Sequence, residues 1–302
     1  MKKLLYLVVL LAPLVLLASC IKEDYTDCER CTLTFSYTGD GTWDIFPEKI
    51  TRVSLYVFNS DDDLVQTKSI EQNDLKAFQG TKLNLEPGNY RIVGVGNAFD
   101  KTEVTNRSSS SMSDIQFHHP NADNGGKVEG NDSLYLGQKM ITIPSTYWYE
   151  DDVPFRSSHL KVSYTVKGYH GHESTRAGGF LDLRVKNLKP QSSFDQAHEM
   201  NLGYGEEVDY APEFEWNSEN GDHTAYFHIM RHSANNNVVF ELVDRATGTV
   251  LHTLNLKDFL EQYKDYVDVT KQEVLIPIVV EFKNLAITVK IADWVVNDVT
   301  PG

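Results

Sequence analysis

Three cysteines are the most reactive side chains in this sequence, and their positions point to different chemistries. Cys20 closes the run Leu17-Ala18-Ser19-Cys20, directly after an apolar stretch over residues 4–17 that follows Lys2 and Lys3. That order reads as a signal peptide ending in a lipobox: small Ala18 and Ser19 let a lipoprotein peptidase reach the bond, and the Cys20 thiol carries the diacylglycerol. A spanning helix needs about 20 apolar residues, so the shorter stretch predicts a discarded leader over residues 1–19. Acylation contributes about 0.8 kcal/mol per buried methylene, and stable anchoring takes more than one chain. Cys28 and Cys31 stand as Cys-x-x-Cys. A redox role needs a strand-to-helix setting and a zinc site needs two further ligands nearby, and neither is visible. A Cys28–Cys31 disulfide requires the chain to turn there, because an extended strand holds the two Cα atoms too far apart.

Other candidates are weaker. His170-Gly171-His172 could place two imidazoles on one strand face with Glu173 nearby, yet the stretch reads better as a polar loop. His228 and His232 have helix-face spacing, but Tyr226-Phe227-His228-Ile229 reads as a strand, which separates them. Asn59, Asp61 and Asp63 imitate the opening of a calcium loop without its central glycine or terminal glutamate, which predicts a solvated hairpin tip. Neither a Gly-x-Ser-x-Gly elbow nor a P-loop occurs. The expectation is therefore a non-enzyme with no catalytic residues, no metal and no cofactor. Tyr147, Trp148 and Tyr149 are candidates for a glycan-binding platform, and they read instead as packing at a domain junction.

Charge narrows the partners. Removing Lys2 and Lys3 from 28 basic residues leaves 26 against 43 acidic ones, a formal charge of −17, which argues against nucleic acid or anionic headgroups. The elements that must position any site read as short strands. Residues 32–37 alternate, with Leu33, Phe35 and Tyr37 on one face, and residues 50–58 carry apolar bulk on both faces, as in a central strand. Asn59 to Asp63 break that run before Leu64-Val65-Gln66-Thr67, a hairpin signal. Residues 101–132, rich in Ser, Asn, Asp and Gly with Ser108 to Ser111 in a row, predict a long exposed insertion, and Pro144, Asp151, Asp152 and Pro154 predict a connector. Strands resume over residues 160–166, 181–185, 225–230, 238–243, 250–254, 274–282 and 286–294. Leu256, Phe259, Leu260 and Tyr263 fall at helical spacing behind Asn255 as cap. The hairpin over residues 239–251 loosely echoes residues 55–65. The reading is all-β: a lipidated tether over residues 20–30, one β-sandwich over 31–155, and a second over 156–302 containing one short helix.

Lys22, Glu23 and Asp24, just after the lipobox, resemble the export signal of surface lipoproteins of Bacteroidota, and Asp132-Ser133-Leu134 resembles their O-glycosylation sequon in an exposed setting. The lipobox, Asp27-Cys28, the strand Leu33 to Tyr37, the run Ile50-Thr51-Arg52-Val53-Ser54-Leu55-Tyr56-Val57-Phe58-Asn59, Leu85-Glu86-Pro87-Gly88-Asn89-Tyr90 and the closing Ile291-Ala292-Asp293-Trp294 occur in one order. Together they resemble the FimB-type fimbrial anchor lipoproteins of Bacteroidota, over essentially the whole mature chain. The resemblance implies two transthyretin-like β-sandwiches in tandem, attachment of a type V fimbria to the outer membrane with limitation of its length, and a stalk subunit as partner beside membrane lipid. Strand completion between subunits would carry the affinity. An anchor that keeps its strand near Leu33 offers no groove, so growth stops. Arg30 complicates this, since a trypsin-like cut there would remove the lipid. A surface glycan-binding lipoprotein and a stalk or tip subunit are the alternatives. The tail over residues 297–302 has no assigned role.

Overall fold

The computed structural model describes residues 30–105, 115–146, 148–169, 180–194, 202–283 and 286–293. The leader, Cys20, the export signal, Cys28, Tyr147, the His170–His172 stretch and the tail lie outside these residues. Nineteen strands run in order: β1 (Cys31–Ser36), β2 (Val53–Asn59), β3 (Leu64–Ile70), β4 (Gly80–Leu83), β5 (Gly88–Gly96), β6 (Glu103–Thr105), β7 (Gln116–His118), β8 (Tyr135–Ile143), β9 (Tyr149–Ser157), β10 (His159–Lys167), β11 (Leu181–Leu188), β12 (Gln191–Ser193), β13 (Val208–Tyr210), β14 (Glu215–Trp216), β15 (His223–Met230), β16 (Val239–Asp244), β17 (Val250–Asn255), β18 (Leu275–Lys283) and β19 (Ala286–Ile291). Among the described residues three short helices interrupt them, α1 (Phe46–Lys49), α2 (Gln72–Ala77) and α3 (Leu256–Gln262). The fold is all-β, with sheets forming sandwich-like halves.

In the first half the hydrogen-bonded order is β3-β2-β5-β8-β9-β1-β4. Strand β9 changes layers along its length: Tyr149 to Pro154 pair in parallel with β1, while Phe155 to Ser157 pair with β8. Pro154, which lacks an N–H, sits where the pairing switches. The core between the two layers holds Leu33, Phe35, Val53, Leu55, Val57, Ile92, Ile141 and Phe155. Gly94 and Gly137 are cross-strand partners, and a Cβ on either would come within 2.7 or 3.0 Å of the Phe155 ring. The two glycines therefore form the seat of that aromatic.

The second half stacks β14-β15-β10-β18-β19 against β13-β11-β16-β17. Val162, Tyr164, Leu183, Phe240 and Ile278 fill the space between, with Leu256, Phe259 and Leu260 of α3. Asn255 caps α3 by accepting from the Lys257 N–H at 3.0 Å, as its spacing predicts. The hairpins β2–β3 and β16–β17 each form an edge of their sheet with a register shift near the turn, so the echo between them extends to geometry.

Several expectations are corrected. The segment read as a connector is strand β9: Asp152 accepts from the hydroxyls of Thr34 and Ser36 on β1, so its carboxylate lies along the sheet surface instead of ending the strand. Residues 101–132 are not simply an exposed insertion. Strand β6 pairs with β7, and β7 pairs with β12 of the second half. Ile115 and Phe117 are fully buried against Phe58, Val93, Val95, Phe194 and Met230. This third cluster covers the outer face of β2 and β5 and accounts for the apolar bulk on both faces of β2. Ser133 is half-buried and accepts from Asn97 Nδ2 at 3.2 Å, so the sequon is not in an open setting. Helices α1 and α2 were not anticipated; a reciprocal capping box of Glu71 and Asp74 opens α2. Strand β9 continues through Phe155 to Ser157, and Ser158 separates it from β10.

Candidate functional site

The alternation of β1 is borne out: Cys31, Leu33, Phe35 and Tyr37 face the core and are each at most 2 % exposed. Burying side chains of this size contributes about 1.5–3 kcal/mol each. The Phe35 ring meets Phe46 at 5.8 Å and Phe155 at 5.6 Å, and Tyr37 meets Tyr135 edge-on at 4.8 Å. β1 is an interior strand, parallel to β9 over six pairs and antiparallel to β4 over four. The close approach of β4 depends on Gly80, where a Cβ would sit 2.1 Å from the Leu33 carbonyl oxygen. Among the described residues Cys31 has no disulfide partner, and burial followed by the nearby Asp151 pushes its thiol up to about 11, which keeps it protonated and unreactive.

Arg30 immediately precedes β1, and its carbonyl accepts from the Tyr149 N–H at 2.9 Å. A cut after Arg30 would free whatever precedes it and leave β1 in place. Beyond Arg30 the next basic residue is Lys49. Lys49 is only partly exposed, and its ammonium pairs with Glu273 at 2.9 Å.

Sequence reasoning missed Glu273. Its Oε1 accepts from Tyr37 at 2.7 Å and from Tyr135 at 3.2 Å, while Oε2 pairs with Lys49 and, at 3.1 Å, with Lys161. Burial raises the carboxyl, but the bonds from Tyr37, Lys49 and Lys161 outweigh it and hold the group at about 2. Burial and this carboxylate together push both tyrosine hydroxyls well above their ordinary range. Asp40 accepts from the N–H groups of Gln272 and Glu273, and the Gln272 side chain accepts from Ser157 N–H. Behind this loop the buried Arg231 guanidinium donates to the carbonyls of His159, Val269, Lys271 and Gln272. The end of β1 is thereby fastened to the second half.

The remaining candidates separate. Asn59 Oδ1 accepts from Asp61 N–H and Asp63 N–H, each at 2.9 Å, so the calcium-like triplet is spent on its own turn. His228 lies on β15, with its ring 4.8 Å from His159, and His232 is buried beyond the strand end, so the two do not share a helix face. Trp148 is 64 % exposed at the Arg30 end of β9, far from packing at the junction, while Tyr149 is half-buried and donates to Asp151 at 2.7 Å. The junction beside β1 is built by Glu273, Gln272, Asp40 and Arg231. Among the described residues no group of three or more His, Cys, Asp or Glu side chains is placed to hold a metal ion, and no helix is long and apolar enough to cross a membrane.

The family model of the fimbrillin-A associated anchor proteins Mfa1 and Mfa2 matches residues 25–300. The chain belongs to this fimbrial anchor family. Its role is fimbria-associated, in the cell envelope, in a family of structural proteins that is not an enzyme family. The fold is shared by a proposed polysaccharide-binding protein of Bacteroides thetaiotaomicron, with TM-score 0.69 and 15 % identity over 86 % of this chain and 95 % of that one. A proposed adhesin of Bacteroides ovatus gives 0.69 and 18 % over 88 % and 94 %. The fimbrial anchor protein Mfa2 of Porphyromonas gingivalis gives 0.62 and 13 % over 86 % and 94 %. No curated protein matches.

Proposed function

We propose that this chain is the lipid-tethered anchor of a fimbria, held at the outer membrane through Cys20 and ending fibre growth because its sheet has no vacancy. The observation that carries the reading is the interior place of β1. A subunit that receives a neighbour's strand must first lose one of its own, and β1 is seated between β9 and β4 with four apolar or aromatic side chains in the core. Residues 31–48 contain no lysine or arginine, and the first basic residue after them, Lys49, is engaged by Glu273, so a protease directed at basic residues meets no site within β1 itself. The division into a tether over residues 20–30 and sandwiches over 31–155 and 156–302, and the export role of Lys22, Glu23 and Asp24, belong to the same proposal.

The test is the N-terminus of the surface-located protein together with palmitate labelling. The reading expects an acylated Cys20, labelling lost in Cys20→Ala, and fibres shed by that variant. A mature start at Cys31 would reject the lipid-held anchor, since the tether would then be gone.

A further inference from the structure

A sheet with no interior vacancy still has edges, and the edges of this molecule are not alike. Three edge strands of the described sheets have six or more residues, β3, β17 and β19. An exposed edge invites pairing with another chain, and lysines commonly blunt it. Lys68 of β3 donates to the Lys82 carbonyl of β4 at 2.9 Å, closing one edge of that sheet on the other. Lys290 of β19 pairs with Glu281 and Asp293. β17, Val250-Leu251-His252-Thr253-Leu254-Asn255, carries no lysine, arginine, acid or proline. Burial lowers the His252 imidazole, so it too is neutral near pH 7.

The hydrogen-bond alternation shows which groups are free. Leu256 N–H donates to Val238 O at 2.9 Å, one pair beyond Val239↔Asn255 in the same antiparallel register. Leu254 and His252 therefore turn their backbone groups toward β16, and Thr253 turns both of its own outward, while the Asn255 carbonyl, at the N-cap of α3, is taken up by the first turn of that helix. Among the described residues none bonds to the outward Thr253 N–H or carbonyl. The extra residue at Leu251 ends the flat run on one side and α3 ends it on the other.

We propose that the β17 edge at Thr253 receives an extended, uncharged segment of a fimbrial subunit as an added strand. The inference rests on the anchor reading for its partner and supplies the surface that reading leaves open. A second copy of this chain is the poorer occupant, because edge pairing would bring together two strongly acidic molecules, each of formal charge −17 once Lys2 and Lys3 are removed from 28 basic residues against 43 acidic ones. Backbone bonds supply the affinity, and the absence of charge along β17 admits an apolar or hydroxyl-bearing strand without burying an unpaired ion.

The experiment uses full-length protein on fibre-bearing cells, with p-benzoylphenylalanine in place of Thr253 and, separately, of Lys290. Irradiation is expected to join the Thr253 position, and not the Lys290 position, to a fimbrial-subunit peptide identified by mass spectrometry. Products with a second copy alone, equal yields at both positions, or no product would each overturn the proposal. Thr253→Pro removes an outward N–H and leaves the ladder to β16 intact, so the protein should melt as wild type while released fibre rises several-fold. If Cys20→Ala sheds fibres and a folded Thr253→Pro does not, the β17 site is wrong and the anchor reading stands. If neither sheds, both are wrong. Should Thr253→Pro fail to fold, the cross-linking result decides.

Discussion

Glu273 and Gly80 constrain β1 through different physics. Glu273 holds Tyr37, Lys49 and Lys161 with one carboxylate, and its group sits at about 2 in the folded protein against 4.5 as the ordinary value. A depressed carboxyl contributes stability that is fully present above pH 4.5 and is lost as the pH falls through about 2. That difference corresponds to about 3 kcal/mol before solvent screening of this partly exposed group, and to about 2 kcal/mol after it. Glu273→Gln should therefore lower stability at pH 7 by about 2 kcal/mol, and urea titrations from pH 7 to 2 should show a flatter acid limb in the variant. An unchanged limb would show that the carboxylate is not the fastening. His159 and His232 act at higher pH: burial first of all lowers them to about 3 and about 4, so each favours the folded state above pH 6.5 and resists it progressively as the pH falls toward those values. Gly80 acts by space alone. Gly80→Ala puts a carbon where the Leu33 carbonyl stands, and the chemical-denaturation midpoint should fall by the equivalent of about 1–3 kcal/mol. A neutral outcome would mean that β4 can move away from β1 at no cost.

Elements differ in how far their role can be read from the residues alone. β1, β2, β10, β16 and α3 announce themselves, because one-face burial imposes period two or 3.6 and their partners need not be known. β9 does not. Asp151, Asp152 and Pro154 look like a connector until β1 lies beside them and supplies hydroxyl donors, information held more than a hundred residues away. β7 hides for another reason: Ile115 and Phe117 are isolated apolar residues in polar surroundings, and only the covered outer face of β2 and β5 explains them. The β1 side of the candidate site was legible. Its fastening was not, since Glu273 sits in an aperiodic loop and its partners come from β1, α1, β8 and β10. Phe117→Ala tests the reassigned segment. A buried ring predicts a loss of about 3–5 kcal/mol, where a loop residue would cost almost nothing. Calorimetry on the variant distinguishes the two.

The two halves meet along more than one seam. β7 pairs with β12, Asn131 bridges to His228 and accepts from the Tyr210 hydroxyl, Lys127 pairs with Glu213, and the Glu273 loop closes the other side. Domains in one chain often move independently, but bonds this dispersed make separation costly. A single thermal transition, with calorimetric and van't Hoff enthalpies equal, is expected for the chain, and two resolved transitions would contradict it. The parallel register of β1 and β9 has a mechanical corollary. Under the proposed anchoring, drag on a fibre reaches the membrane through the chain just before Cys31, pulling β1 along its own axis. Bonds on both flanks of the strand must then slide together and cannot peel one at a time, and its far end is pinned across to the other half. The molecule is built as a rivet, strongest in the direction in which swimming, flow or host contact would tug it.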